Sequence, residues 1–284
     1  LRPPSSWKDR PMTEMSDPHR VTARFVHPAG QAFVQRAGVG TTDAAPFAAL
    51  LAGVDETTLV GYHAAFAAEV RASAALVDAD LADRLPFAVG DRILALGDSI
   101  TDDSLSWAYH LQAYLDLHRP ADGIRVINAG ITGNTTQEAV ARIDLIAAAR
   151  PTWVIQMLGT NDARRHGSIR ARMQSIEETR RNLGLLADLI AAETEAAHVC
   201  LTPPPVVEAD ADVWEPFQQE SITWREADVA EIADAVRAHD GIVVDVHTQL
   251  QGAPAGWLLP DGVHPTLVGQ RLILESVLRE LAGA

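Results

Sequence analysis

The stretch Arg92-Ile93-Leu94-Ala95-Leu96-Gly97-Asp98-Ser99-Ile100-Thr101 reads as a short apolar strand that runs into a tight turn. Downstream of it the same rhythm returns. Apolar, β-branched runs at 125–129, 153–158, 198–202 and 242–246 alternate with helical stretches at about 104–118, 135–149, 169–192 and 219–239, and a last helix runs from 265 to about 281. Counting 92–96 as the first strand, this alternation predicts βαβ units. The fold class is therefore α/β: a three-layer α/β/α sandwich around a five-stranded parallel sheet. In open sheets of this kind reactive groups collect at the carboxyl ends of the strands, so the loops after each strand are where chemistry belongs.

Upstream of the sandwich, which occupies 87–284, lies an N-terminal accessory region at 21–86. Val21, Phe25, Val26, Phe33 and Val34, broken by Pro28, Gly30, Gly38 and Gly40, predict a few short strands or an irregular wrap. Thr57 or Thr58 then caps a helix whose Leu59, Tyr62, Phe66, Val70, Val77 and Leu81 share a face, and which ends near Pro86. Residues 1–20 mix Pro, Ser and charges without a period and read as a flexible leader or tag remnant. A small domain, a packing extension and a contact for homo-oligomers all fit 21–86.

The formal net charge of −15 excludes a nucleic-acid partner, because such affinity comes largely from Lys and Arg on phosphates. It also disfavours anionic membrane surfaces. No apolar run approaches the roughly 20 residues that span a bilayer, so stable membrane insertion is not expected. Cys200 is the only cysteine, which rules out an intrachain disulfide and a thiolate cluster. A reducing, cytoplasmic setting is the expectation.

Each strand end carries polar residues. Ser99 follows the first strand, where a turn allowed by Gly97 can hold a nucleophile; Ser99 and Asp98 are equally suited to cap the next helix. The second strand ends in a loop whose Gly130 and Gly133 let backbone N–H groups approach a ligand. After the third strand, the amide of Asn161 can donate to a developing oxyanion or close an Asx turn. Before the last helix, Asp261 stands three residues ahead of His264, so its carboxylate can accept the Nδ1–H and leave Nε2 as a general base. A hydroxyl, N–H donors and an Asp/His pair at one sheet edge are the parts needed for acyl transfer.

In these blocks, Gly97-Asp98-Ser99, Gly130, Gly159-Thr160-Asn161-Asp162 and Asp261-Gly262-Val263-His264, the chain resembles the SGNH/GDSL hydrolase superfamily from about residue 92 to 281. The resemblance implies a flavodoxin-like sheet and Ser99 as nucleophile, with His264 as base and Asp261 orienting it. It also implies an oxyanion hole made of the Ser99 and Gly130 N–H groups and the Asn161 side chain, and neither metal nor other cofactor. The α/β-hydrolase elbow does not fit, since it needs Gly two residues after the serine and this chain has Thr101.

The expected activity is a serine esterase acting on a small-molecule ester, acetyl-type above all. A thioesterase or lysophospholipase would use the same residues, and a noncatalytic binding or assembly module is the reading from another class. Asp98, Trp214, Trp257 and Arg164 are candidate pocket residues, although Arg164 also fits a solvated loop and the tryptophans fit a core. Asp102-Asp103, where many relatives have one acid and then glycine, either caps the following helix or shapes the pocket. Asp102, Asp103, Asp261 and His264 form the one acidic set weighed as a cation site. The carboxylates at 98, 102, 103, 162 and 261 predict a negative mouth that favours neutral or cationic esters unless Arg164 and Arg165 offset it.

Overall fold

The computed structural model describes residues 17–283. The leader expected at 1–20 lies outside the described residues up to 16; from Pro18 onward the chain is helical. It forms α1 (Pro18–Phe25), a 3-10 turn (Pro28–Gly30), α2 (Ala32–Arg36), α3 (Thr41–Ala52), α4 (Glu56–Ala74) and a second 3-10 segment (Ala79–Arg84). The short strands expected between 21 and 50 are thus helices. The breakers do act as punctuation, but they separate helices: Pro28 opens the 3-10 turn, and Gly40 stands at the N-cap of α3. Between them α3 carries Ala44, Ala45, Ala48, Ala49 and Ala52, the residue type most favourable in a helix.

The longest of these helices, α4, starts one residue before Thr57, because Asp55 supplies the cap by accepting the Thr58 N–H at 2.7 Å. Its Leu59, Phe66 and Val70 are buried with Ala23, Ala48 and Ala52. Leu105, Ala113 and Leu267 of the following domain complete that cluster. The N-terminal region therefore packs onto the sandwich as an extension and shares its core.

The sandwich continues as β1 (Arg92–Gly97), α5 (Ser99–Asp102), α6 (Trp107–His118), β2 (Arg125–Gly130), α7 (Thr136–Val140), α8 (Ile143–Ala148), β3 (Trp153–Met157) and α9 (Thr160–Ala163). Then come β4 (Arg165–His166), β5 (Ala171–Arg172), α10 (Ile176–Glu193), β6 (Ala197–Leu201), α11 (Glu208–Ala211) and α12 (Glu215–Gln219). The chain closes with β7 (Ile222–Thr223), α13 (Glu226–Arg237), β8 (Ile242–Val244), α14 (Val246–Gln251) and α15 (Leu267–Gly283). The five expected strands form one parallel sheet in the order β2-β1-β3-β6-β8.

Burial on both faces explains why β1 reads as a continuous apolar run. Ile93 and Ala95 enter the core under α6 and α15, whereas Leu94 and Leu96 face the cluster that contains Ala139, Ile146 and Leu186. In the register Gly97 lies opposite both Gly130 and Met157, which brings the carboxyl ends of β1, β2 and β3 level.

Three helices differ from expectation. A capping box between Ser175 and Glu178 starts α10 at Ile176, and β5 and β7, from residues expected at helix starts, form a small antiparallel sheet with β4. The helix expected over 135–149 is two pieces, α7 and α8, which break at Arg142. The side chain of Arg142 turns inward, donating to the Ala129 carbonyl at 2.6 Å and to the Gly97 carbonyl at 3.2 Å.

Candidate active site

The turn after β1 is crowded. A Cβ on Gly97 would lie 2.1 Å from Thr101 Oγ1 and 3.0 Å from the Met157 carbonyl, so only glycine fits there. Asp98 accepts the Ile100 N–H at 3.0 Å and caps α5, which sets Ser99 at the first position of that helix. Ser99 is 7% exposed, and its Oγ lies 2.9 Å from His264 Nε2.

Asp261 holds the other side of the imidazole. Its Oδ2 is 2.8 Å from His264 Nδ1, while Oδ1 accepts the N–H groups of Val263 and His264 at 2.8 and 2.9 Å. Gly262, at φ +70, allows this turn, since a Cβ there would meet the Val207 carbonyl at 2.5 Å. Burial alone would push the Asp261 carboxyl up, but the charge and hydrogen bond of His264 hold it below the usual carboxylate range. Burial likewise pulls His264 down; the Asp261 charge and hydrogen bond, with Asp103 and Asp98 behind them, keep it above the usual imidazole value.

The third strand end is fixed by its neighbours. Asn161 Nδ2 donates to the Asn134 carbonyl at 3.1 Å, and Arg164 Nη1 donates to Asn161 Oδ1 at 3.3 Å. Arg164 is therefore a support for the amide of Asn161. The adjoining Asp162 accepts Thr136 and Thr179 hydroxyls at 2.5 and 3.2 Å, which ties this block to α7 and α10. Gly130 sits so close to α5 that a Cβ would fall 2.3 Å from the Asp102 nitrogen. Its N–H donates to Asn128 Oδ1 at 2.9 Å, so this expected oxyanion donor is engaged within the protein.

Several expected pocket residues belong elsewhere. Asp98 is a buried cap, and burial pushes its carboxyl up to about 7 against opposing hydrogen bonds and the nearby His264. Trp257 packs in the main core. Trp214 sits half-buried ahead of α12 and makes neither a hydrogen bond nor a ring contact with Ser99, Asp261 or His264.

Asp102 and Asp103 cap no helix after Ser104, since α6 begins at Trp107; they bind the extension. Arg24, 1% exposed, meets Asp103 through two hydrogen bonds of 3.0 and 2.5 Å. His27 Nδ1 lies 2.9 Å from Asp102 Oδ1, whose Oδ2 accepts the N–H and hydroxyl of Thr132. Arg165 in turn is held by Asp228 at 2.6 Å. The strongly negative mouth is thus not what the structure shows, because these acids are paired or protonatable within it.

Sequence reasoning did not single out Arg142, whose guanidinium braces the ends of β1 and β2; desolvation lowers it to about 10. A lone arginine between two helical runs carries no signal of that role.

The acids and imidazole weighed as a cation site do not converge as ligands: Asp261 serves His264, Asp103 serves Arg24 and Asp102 serves His27. Among the described residues a different group, His198, Cys200 and His239, brings potential metal ligands within 4.8 Å of one another. It lines a cleft of about 730 Å³ between α10 and α13. That cleft opens at the amino end of the sheet, since His239 precedes β8 and His198 is the second residue of β6, so it takes no part at Ser99. Burial raises the Cys200 thiol to about 12 and lowers His198 to about 4.

A parallel sheet whose carboxyl edge carries Ser, Asn and an Asp-x-x-His turn defines a serine-hydrolase class. Residues 95–272 match the GDSL-like lipase/acylhydrolase family, and the chain belongs to it and is a carboxylic ester hydrolase. It is 26% identical to an acetylxylan esterase of Geobacillus stearothermophilus over 68% of this chain and 94% of that one. It is 30% identical to Esterase TesA of Pseudomonas aeruginosa over 67% and 87% of the two chains. A catalytic mutant of Axe2, an acetylxylan esterase from G. stearothermophilus, shares the fold at a TM-score of 0.56, with 22% identity over 69% of this chain and 95% of that one. LAE5, an alpha/beta hydrolase from the metagenome of Lake Arreo, Spain, does so at 0.52, with 23% identity over 69% and 96%. No helix among the described residues is long and apolar enough to cross a membrane.

Proposed function

We propose that this esterase cleaves small acyl esters, acetyl groups above all, through Ser99, His264 and Asp261 and an acyl-enzyme. The observation that carries the reading is the continuous relay from Ser99 Oγ to His264 Nε2 at 2.9 Å and from Nδ1 to Asp261 Oδ2 at 2.8 Å. His264 takes the Ser99 proton as Oγ attacks the carbonyl carbon, and Asp261 stabilises the imidazolium. The oxyanion meets the Ser99 N–H, which has no partner at the start of α5, and the second N–H of Asn161. The Gly130 N–H joins them on exchanging Asn128 for the substrate. His264 then protonates the departing alkoxide. Water attacks the acyl-serine, gives its proton to His264, and the acid leaves as that proton returns to Oγ.

The enclosure of Ser99 and the likeness to an acetylxylan esterase support acetyl as the acyl group. The test is hydrolysis of 4-nitrophenyl esters of increasing acyl length, with fluorophosphonate labelling. Ser99→Ala is expected to lose turnover by about 10⁴- to 10⁶-fold and all labelling. A wild type that neither hydrolyses these esters nor labels at Ser99 overturns the serine mechanism, and a preference for octanoyl over acetyl overturns the small-acyl reading.

A further inference from the structure

The stretch from Arg24 at the end of α1 to Arg36 at the end of α2 runs across the catalytic edge as a strap. At one end, the Arg24 carbonyl accepts the Ser104 N–H at 2.9 Å, and the Arg24 guanidinium reaches Asp103 and the Pro265 carbonyl beside His264. Next, the Phe25 ring lies 5.2 Å from the His264 ring, tilted by 57°. His27 then bridges Asp102 and Ser104, and Gly30 comes within 4.0 Å of the Gly130 carbonyl, measured from its would-be Cβ. Beyond it, Arg36 pairs with Asp144 and donates to the Ala141 carbonyl. The strap thus passes from the acid–base loop to the oxyanion loop.

Phe25 stands out on this path. Its neighbours Ala23 and Val26 pack into the cluster shared with α3 and α4, whereas Phe25 belongs to no core cluster and stays half-buried against the imidazole. Burying a phenylalanine elsewhere would stabilise the fold, so its position at the mouth asks for a role there.

We infer that the strap forms a wall of the substrate cleft and that Phe25 selects the alcohol part of the ester. This rests on the serine-esterase reading above, and chemistry fixes the side. His264 Nε2 must hand its proton to the departing alkoxide, so the leaving group lies beside the imidazole. A ring tilted against that imidazole borders the leaving group, while the acyl chain extends away from it. The wall is rigid, because Arg24 and His27 tie it to the two acids after Ser99. The favoured substrates are acetyl esters of alcohols flat or narrow enough to lie along the Phe25 ring.

The test compares wild type, Phe25→Ala and Phe25→Trp on two series. One holds the acyl group at acetyl and varies the alcohol through phenyl, 2-naphthyl and branched alkyl acetates. The other holds 4-nitrophenol and lengthens the acyl chain from acetyl to octanoyl. Phe25→Ala is expected to raise the ratio of kcat/KM for bulky over slim alcohols by at least about fivefold, with the acetyl-to-octanoyl ratio unmoved. Phe25→Trp, which keeps an aromatic wall if Ala loosens the strap, is expected to move the alcohol ratio the opposite way. Alcohol ratios unchanged in both variants overturn the inference, as does a shift confined to the acyl series. A wild type inert on every ester overturns the serine-esterase reading and this inference with it, before any variant is compared.

Discussion

The carboxyl edge of the sheet and the strap that crosses it differ in how they hold their shape. At the edge, neighbouring strands in parallel register bring Ser99, Gly130 and Asn161 level, and each lies within a few residues of the strand that presents it. The strap has no such lattice. Its position depends on side chains reaching far along the sequence, above all Arg24 to Asp103, 79 residues away. One region is organised by backbone pairing and turn chemistry, the other by a buried ion pair, and variants should therefore fail in different ways.

The largest effect is expected at the edge. Asp261→Asn should lower kcat by about 10⁴-fold while leaving the unfolding midpoint nearly in place, because the amide can still accept from the Val263 N–H. The same variant tests the pH dependence. His264, held above its usual value, must be neutral to accept the Ser99 proton, so activity is present above its pKa and lost as pH falls through it. Without the Asp261 charge, burial dominates and the acid limb of residual activity should move to lower pH.

The next largest belongs to the strap. Arg24→Ala leaves Asp103 buried without its cation and should cost about 3–5 kcal/mol in urea unfolding. Arg24→Met with Asp103→Leu should cost less than Arg24→Ala alone, and a double variant no more stable than the single one would break the contrast drawn here.

At the edge again, Asn161→Ala should slow turnover by about 10²- to 10³-fold with little change in KM, as for a donor that acts on the oxyanion. The smallest effect falls on the outer strap. Arg36, paired with Asp144 in the open, should be replaceable by Ala with the thermal midpoint moving less than about 2 °C.

The same difference explains what could be read from the sequence. The sheet was legible because buried parallel strands are continuous apolar runs, and because Gly97, Gly130 and the 261–264 turn stand where close approach or a tight turn demands them. That placement made Ser99, His264 and Asp261 candidates, and the resemblance to the SGNH/GDSL hydrolases implied their roles. The helical nature of 21–50 was not legible: Val21 stands alone and Phe25-Val26 and Phe33-Val34 form two pairs between breakers, a pattern that short strands and short helices share. Nor did any local pattern show that Asp102 and Asp103 face Arg24 and His27, or that Arg142 folds inward to the ends of β1 and β2. Such pairings depend on tertiary contacts that neither period nor spacing encodes. Trp257 went the same way, since an aromatic near a motif fits a core and a cleft equally until packing is known.

The Arg24–Asp103 pair also constrains how this chain can be shortened or recombined. A catalytic domain cut at residue 87 would keep every residue of the relay yet leave Asp103, four residues after the nucleophile, without its cation. Trimming or grafting the strap is therefore a two-site change, in which the residue at 103 must be exchanged together with the segment that neutralises it.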